Sequence, residues 1–180
     1  MDYIVTKSPA YFTKIGDFNF CSLEQMKTKL PNVIACDGET THLKAILGDI
    51  FCIQFGTGKD NFIVHMYDDN YHPEDVKDIL LTRELILQNG LFDLHFFAKY
   101  GIYPPKVRDT FLASKILYNG IKSYRHGFAD IFKREMGIIY DTVGEKKKEA
   151  SAMSDDDMLS FSFSDLEDEM SHEEKKKKKT

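Results

Sequence analysis

Two carboxylates stand two residues apart at the end of an apolar run in this 180-residue chain, in Val33-Ile-Ala-Cys-Asp37-Gly-Glu39-Thr40-Thr41. Alternate side chains of an extended backbone point the same way, so Asp37 and Glu39 can face one site together. Two such charges in a partly buried setting repel by about 2–4 kcal/mol at an effective dielectric near 20, which calls for a compensating cation. With only oxygen on offer, the fitting ion is a hard one such as Mg²⁺. Taken alone, the same residues also describe a solvated turn after a strand. A second segment, Leu85-Ile-Leu-Gln88-Asn89-Gly90-Leu91-Phe92-Asp93, passes from an apolar run through a turn to a helix start. Asp93 then lies at a helix N-terminus beside the strand ends, the edge of an open α/β sheet where ligands collect. Its plain alternative is a carboxylate placed for the helix dipole, and Asn89 has that of a turn residue. His95, alone among phenylalanines, is a packing or solvent-facing residue rather than a metal ligand.

These residues need strands and helices in a definite order. Val33–Cys36 reads as a buried strand, and Ile50–Phe55 and Phe62–His65 as two more, joined as an antiparallel hairpin through Gly56, Gly58 and Asp60. Pro73 suits a first helical turn, with Glu74, Asp75 and Asp78 at its positive end and Val76, Ile79 and Leu80 inward, the helix ending near Thr82. Leu85–Gln88 is a strand feeding a helix over Phe92–Tyr100, which Gly101 stops. Val107-Arg108 is a short strand, Asp109 caps the helix carrying Phe111, Leu112, Ile116 and Leu117, and an amphipathic helix runs from Ser123 or Tyr124 to Met136. Ahead of these, Tyr3–Val5 reads as a strand and Leu23–Leu30 as a helix. Short apolar runs alternating with helical patterns define an α/β domain.

Composition bounds the function. A 42% apolar share supplies a core without disulfides, and the net charge is −5. No apolar run approaches the roughly 20 residues that span a bilayer, so neither a membrane nor an export role is expected. Cys21, Cys36 and Cys52 are odd in number and lack C-x-x-C spacing, which indicates an intracellular, reducing setting and no zinc knuckle. Lysines and acids crowd the stretch 144–180, where Phe161 and Phe163 are the only aromatics; a folded domain over 1–143 with a charged, largely disordered tail is expected.

In this order and spacing the two segments resemble the DnaQ-like (DEDD) 3′-5′ exonucleases, above all the proofreading domain of bacterial and phage family A DNA polymerases. Asp37-Gly-Glu39-Thr40 matches the family's first motif, and Asn89 to Phe92-Asp93 resembles the second. Ile53-Gln54-Phe55, Gly101-Ile102, Asp109-Thr110 and Gly127-Phe128-Ala129-Asp130 are further echoes. The resemblance implies an RNase H-like fold: a five-stranded sheet in order 3-2-1-4-5, the second strand antiparallel, with helices on both sides. It implies two divalent cations, Mg²⁺ or Mn²⁺, with Asp37 bridging both, Glu39 on one and Asp93 on the other. Thr40, Leu43, Asn89 and Arg125 fall on the substrate side, Leu43 as an apolar wedge against the terminal bases or else as ordinary packing. The implied partner is a single-stranded or frayed DNA 3′ end, with a polymerase subunit as a further one, in a bacterial or phage-infected cell.

The third motif, Tyr-x-x-x-Asp or His-x-x-x-x-Asp, has no counterpart after Asp130. Its nearest approach is Phe161-Ser-Phe-Ser-Asp165, which makes Asp165 the fourth carboxylate with Asp168 as second choice, while Phe161 lacks the hydroxyl that would position water. Lys115, Lys122, Arg125, His126, Lys133 and Arg134 gather on the last two helices as a modest cationic patch. The function expected is therefore a metal-dependent 3′-5′ exonuclease of proofreading type. RNase D-like RNA trimming and a catalytically weakened nucleic-acid-binding remnant are the alternatives.

Overall fold

Strand β3 (Val33–Thr40) lies inside the sheet because its residues alternate between a packed and an open face: Ile34 and Cys36 are buried, while Val33, Ala35, Asp37 and Glu39 are exposed. The computed structural model describes residues 1–9, 18–67 and 70–139. Earlier in the chain come β1 (Asp2–Val5), β2 (Asn19–Cys21) and α1 (Leu23–Lys29). Ser22 and Gln25 close a capping box at the start of α1: Gln25 N–H donates to Ser22 Oγ, and Ser22 N–H to Gln25 Oε1. After β3 follow β4 (Ile50–Gly56), β5 (Asn61–His65), a 3-10 turn at Pro73–Val76, α2 (Lys77–Thr82), β6 (Glu84–Leu87) and α3 (Leu91–Lys99). The chain continues through β7 (Val107–Asp109), α4 (Thr110–Leu117) and α5 (Phe128–Met136).

The strands form one mixed sheet in the order β2-β1-β5-β4-β3-β6-β7. The last five in that order, β5-β4-β3-β6-β7, reproduce the 3-2-1-4-5 order. The strand second in that numbering, β4, is antiparallel to both β3 and β5, whereas β6 runs parallel to β3 and β7. The sheet has seven strands rather than five because the N-terminal segment adds to its edge: β1 pairs in parallel with β5 and β2 with β1. Burial of Ile4 and Val5 and stacking of Tyr3 on Phe62, with centroids 5.1 Å apart, hold β1 there. The added strands cover the edge that β5 would otherwise expose.

One core unites Ile34 and Cys36 of β3, Ile53 and Phe55 of β4, Phe62 and Val64 of β5, and Leu85 and Leu87 of β6. Met26 of α1, Ile79 and Leu80 of α2, and Phe96 and Phe97 of α3 close over them. β3, β5 and β6 thus bury alternate residues, and α1, α2 and α3 each bury one stripe. The last helix begins at Phe128, not at Ser123 or Tyr124. Gly127 is its N-cap, and the residues before it form a connection from α4 that hydrogen bonds hold in place.

That connection is tied down by a polar cluster. Ser114 Oγ lies 2.8 Å from His126 Nδ1, Arg134 Nη2 donates to Ser114 Oγ (2.7 Å), and Gln88 Nε2 donates to His126 O (3.2 Å). Arg134 Nη1 donates to Arg125 O (3.1 Å), and its guanidinium lies over the rings of Tyr118 and Tyr124. Buried polar groups stabilise a fold only when paired, and these are. Among the described residues, α4 and α5 keep Leu112, Ile116, Leu117, Phe128 and Met136 exposed.

Candidate active site

Asp37 and Glu39 leave β3 on the face opposite Ile34 and Cys36, sharing a side as their spacing predicts. Their cross-strand neighbours are Gln54 and Cys52, and Gln54 Nε2 donates to Glu39 Oε1 across 3.4 Å. The register shifts between Glu39 and Thr40, which pair with Cys52 and Ile50, so β4 carries an extra residue, Phe51, just past the two carboxylates. Asp93 arrives from a different element. It lies in the first turn of α3 and is buried, with Oδ1 accepting the Gly38 N–H at 2.9 Å. Glycine is what permits this approach, since a Cβ on residue 38 would stand 2.9 Å from Asp93 Oδ1. The three acids therefore converge on Gly38: Asp37 and Glu39 flank it in sequence, and Asp93 bonds to its amide.

The turn that aims α3 is built on Asn89 and Gly90. Asn89 adopts φ 57°, the left-handed conformation that Asn tolerates better than other non-glycine residues. Asp109 holds this turn from the far strand. Its carboxylate accepts N–H groups from Asn89 (3.2 Å) and Gly90 (2.8 Å), and from Phe111 (2.8 Å) and Leu112 (3.3 Å) at the start of α4. One side chain thus caps a helix, as its position predicts, and fixes the entry to α3, which the sequence did not disclose.

Electrostatics mark the cluster as short of positive charge. Asp93 is pushed up from 3.8 to about 7, first by burial and then by the Asp37 charge, against the lowering effect of the Gly38 N–H. Loss of hydration also raises Asp37, and Glu39 is raised by the same cause together with Asp37. Burial and the neighbouring acids keep Cys36 and Cys52 as thiols, the latter at about 12. Three carboxylates whose ionisation burial opposes, two of them also opposed by the Asp37 charge, all offer oxygen and fit a hard divalent cation by donor chemistry. Among the described residues no group of three or more His, Cys, Asp or Glu forms a ready-made nest for a metal. Asp37 and Glu39 point from one face of β3, while Asp93 meets the strand at Gly38 from α3.

The remaining sequence candidates are distributed around this point. Thr40 is half-buried, its Oγ1 donating to His42 O. Leu43 is 81% exposed, which removes ordinary packing as its role. Asn89 is half-buried in its turn, and Arg125 is exposed on the α4–α5 connection. His95 faces solvent. The cationic patch is smaller than the sequence suggested: His126 is buried against Ser114, and Arg134 is engaged by Glu135, Ser114 and Arg125 O. Asp165, Asp168 and Phe161 lie outside the described residues, as does the expected tail.

The fold and strand order match the architecture that the exonuclease resemblance implies, and comparison with known proteins identifies the family. A sequence profile of the 3′-5′ exonuclease of family A DNA polymerases matches residues 19–167, and the chain belongs to that family. DNA polymerase I of Aquifex aeolicus is 29% identical over 113 residues, covering 59% of this chain and 17% of the polymerase. The chain thus spans about a sixth of that relative's length. Among solved structures, Brucella melitensis NrnC with bound Mg²⁺ superposes with a TM-score of 0.51 at 24% identity, over 71% of this chain and 63% of that one. Escherichia coli RNase D, an exoribonuclease, superposes with a TM-score of 0.55 at 19% identity, over 88% of this chain and 40% of that one. At these identities the structural likenesses establish the shared fold.

Proposed function

We propose that this chain is a divalent-cation-dependent 3′-5′ exonuclease that removes single nucleotides from the 3′ end of DNA, in the manner of a proofreading domain. The observation that carries the reading is the meeting of Asp37, Glu39 and Asp93 around Gly38, with all three raised by burial and Glu39 and Asp93 raised further by the Asp37 charge. Family membership supports it. Asp37, Glu39 and Asp93 would hold Mg²⁺ or Mn²⁺, two ions in all with Asp165 as a further ligand, and the bound ions would lower the pKa of water and neutralise charge at the scissile phosphate. The chain's own residues do the rest. Gln54 holds Glu39 by its amide, the Gly38 N–H fixes Asp93, and Leu43 stands free beside the strand end to meet a base. Thr40, Asn89 and Arg125 are assigned to the substrate, Arg125 because a phosphate backbone needs a cation that the fold leaves unspent. The polymerase relative supports assignment to a bacterial or phage-infected cell and to a polymerase partner.

RNA trimming is the second reading, favoured by likeness to an exoribonuclease and to NrnC, which is also described bound to pGG. The deciding experiment is incubation of 5′-labelled single-stranded DNA and RNA with the protein in Mg²⁺ or Mn²⁺, with and without chelator. Stepwise shortening from the 3′ end with release of 5′-monophosphates is expected, faster on DNA. Degradation that persists in excess EDTA overturns the reading, and binding without shortening in either metal would make the chain a catalytically weakened remnant.

A further inference from the structure

The chain leaving β3 closes into a loop of its own before β4 begins. Thr41 N–H donates to Asp49 O (2.9 Å) and Asp49 N–H to Thr41 Oγ1 (2.9 Å), which joins the two ends. Within the loop, the Leu47 and Gly48 amides donate to Lys44 O (3.0 and 3.1 Å) and Lys44 N–H to His42 Nδ1 (3.0 Å). The neck is tight, for a Cβ on Gly48 would lie 2.7 Å from His42 Cβ. Ala45 packs against the core, but the larger apolar side chains of the loop do not fill the interior. Leu43, Ile46 and Leu47 are 81%, 61% and 60% exposed, an apolar platform that begins four residues beyond Glu39.

Loops held only by their own hydrogen bonds drift on the nanosecond to microsecond scale. This one is anchored to a helix. Lys99 Nζ donates to Gly48 O (2.6 Å) and to Asp49 Oδ1 (2.5 Å), and Tyr100 OH donates to Asp49 Oδ1 (3.0 Å). Lys99 is the last residue of α3 and Tyr100 its C-cap, while Asp93 near the start of the same helix accepts the Gly38 N–H. One helix therefore grips the sheet on the near side of Glu39 and the loop on the far side. Six residues at 1.5 Å each set the two grips about 9 Å apart.

We infer that Asp49, Lys99 and Tyr100 form a clamp that positions the Leu43–Leu47 platform against the terminal base of a 3′ end, which makes Asp49 a positioning residue for substrate. The inference rests on the nuclease reading. Every base presents the same kind of flat π face, so an apolar platform grips a terminal nucleotide with little sequence preference, as an exonuclease working through any sequence requires. The clamp lies at the surface, where an ion pair contributes about 0–1 kcal/mol to folding. Its consequence therefore falls on where the loop stands rather than on whether the domain folds.

The test is equilibrium binding, by fluorescence anisotropy without divalent cation, of 5′-labelled single-stranded DNA whose 3′-terminal nucleotide is either intact or abasic. Asp49→Ala and Lys99→Met are each expected to weaken binding on the order of fivefold for the intact end and to leave the abasic end within about twofold. Leu43→Ala should give the same pattern, and Leu43→Ala with Asp49→Ala should add nothing for the intact end. Equal weakening for both ends, or none for either, overturns the clamp, and so does an unmodified protein that binds neither oligonucleotide. Cleavage is measured separately in Mg²⁺. Absent cleavage with the expected binding pattern would remove the exonuclease reading while leaving the clamp in place.

Discussion

Replacing Asp93 with Asn should make the metal-free protein more stable above neutral pH, the reverse of what removing a buried, hydrogen-bonded side chain usually does. Asp93 is buried, and its folded pKa is about 7 against 3.8 unperturbed. Below about pH 4 both folded and unfolded chains carry the proton. Between about pH 4 and 7 the folded chain keeps a proton that the unfolded chain has lost, so stability falls as pH rises, and above pH 7 the deficit is complete. Three units correspond to about 4 kcal/mol at most. Asn at this position keeps an oxygen for the Gly38 N–H but cannot ionise, so Asp93→Asn escapes the deficit. At about 3 °C per kcal/mol for a domain of this size, the variant should melt on the order of 10 °C above the unaltered protein at pH 8 and level with it at pH 4. Thermal unfolding followed by circular dichroism in EDTA across pH 4–8 measures the difference. Parallel pH curves, or a variant that melts lower at pH 8, would refute the account of Asp93 as a carboxylate short of a cation. Adding Mg²⁺ should then raise the melting temperature of the unaltered protein and not that of Asp93→Asn.

Gly38→Ala places a Cβ 2.9 Å from Asp93 Oδ1, so it should displace that carboxylate; a stability loss of about 1–2 kcal/mol and at least about a tenfold fall in cleavage rate are expected by melting and gel assay. Asp109→Ala strips the acceptor from four N–H groups at once and should cost about 2–4 kcal/mol in chemical denaturation, with cleavage lowered through the displaced Asn89-Gly90 turn. Asn89→Ala should lose about 1 kcal/mol to the left-handed backbone and Asn89→Gly should not. If the Asn89 side chain meets substrate, both variants raise KM alike, and a KM unchanged in Asn89→Gly would reduce Asn89 to a turn residue.

What the sequence disclosed of the fold is what alternation and punctuation can carry. Val33–Cys36, Ile50–Phe55 and Leu85–Leu87 are apolar runs too short for helices, bounded by turn residues, and each is a strand. Strand order came from the family likeness rather than from any residue. Of the two added strands, only β1 was legible, as an apolar triplet at Tyr3–Val5; where it pairs is a long-range choice decided by the exposed edge of β5 and the Tyr3–Phe62 contact. The last helix starts later than its apolar pattern suggests, at Phe128, for a physical reason. Ser123 and Tyr124 have helix-compatible neighbours, but His126 is pulled into a buried bond with Ser114 and the backbone there serves Gln88 and Arg134 instead of a helical ladder.

The site divides along the same line. A two-residue spacing on a strand is local, so Asp37 and Glu39 could be read directly, and Asp93 followed from a strand-turn-helix passage that places a carboxylate near the strand ends. The parts that locate these groups were hidden because each joins residues far apart in the chain. Asp109 reaches back 20 residues to the Asn89 amide, and Lys99 reaches 50 residues to Asp49, contacts that no periodicity announces. Lys99 reads in isolation as a favourable charge at a helix end, and Asp49 as an acid in a surface loop. Only the packing of α3 beside β3 makes them partners, and that same packing carries Asp93 to Gly38. The helix that delivers the third carboxylate is thereby the element that fixes the apolar loop, so a perturbation anywhere along α3 should register both in the ionisation of Asp93 and in the grip on a terminal base.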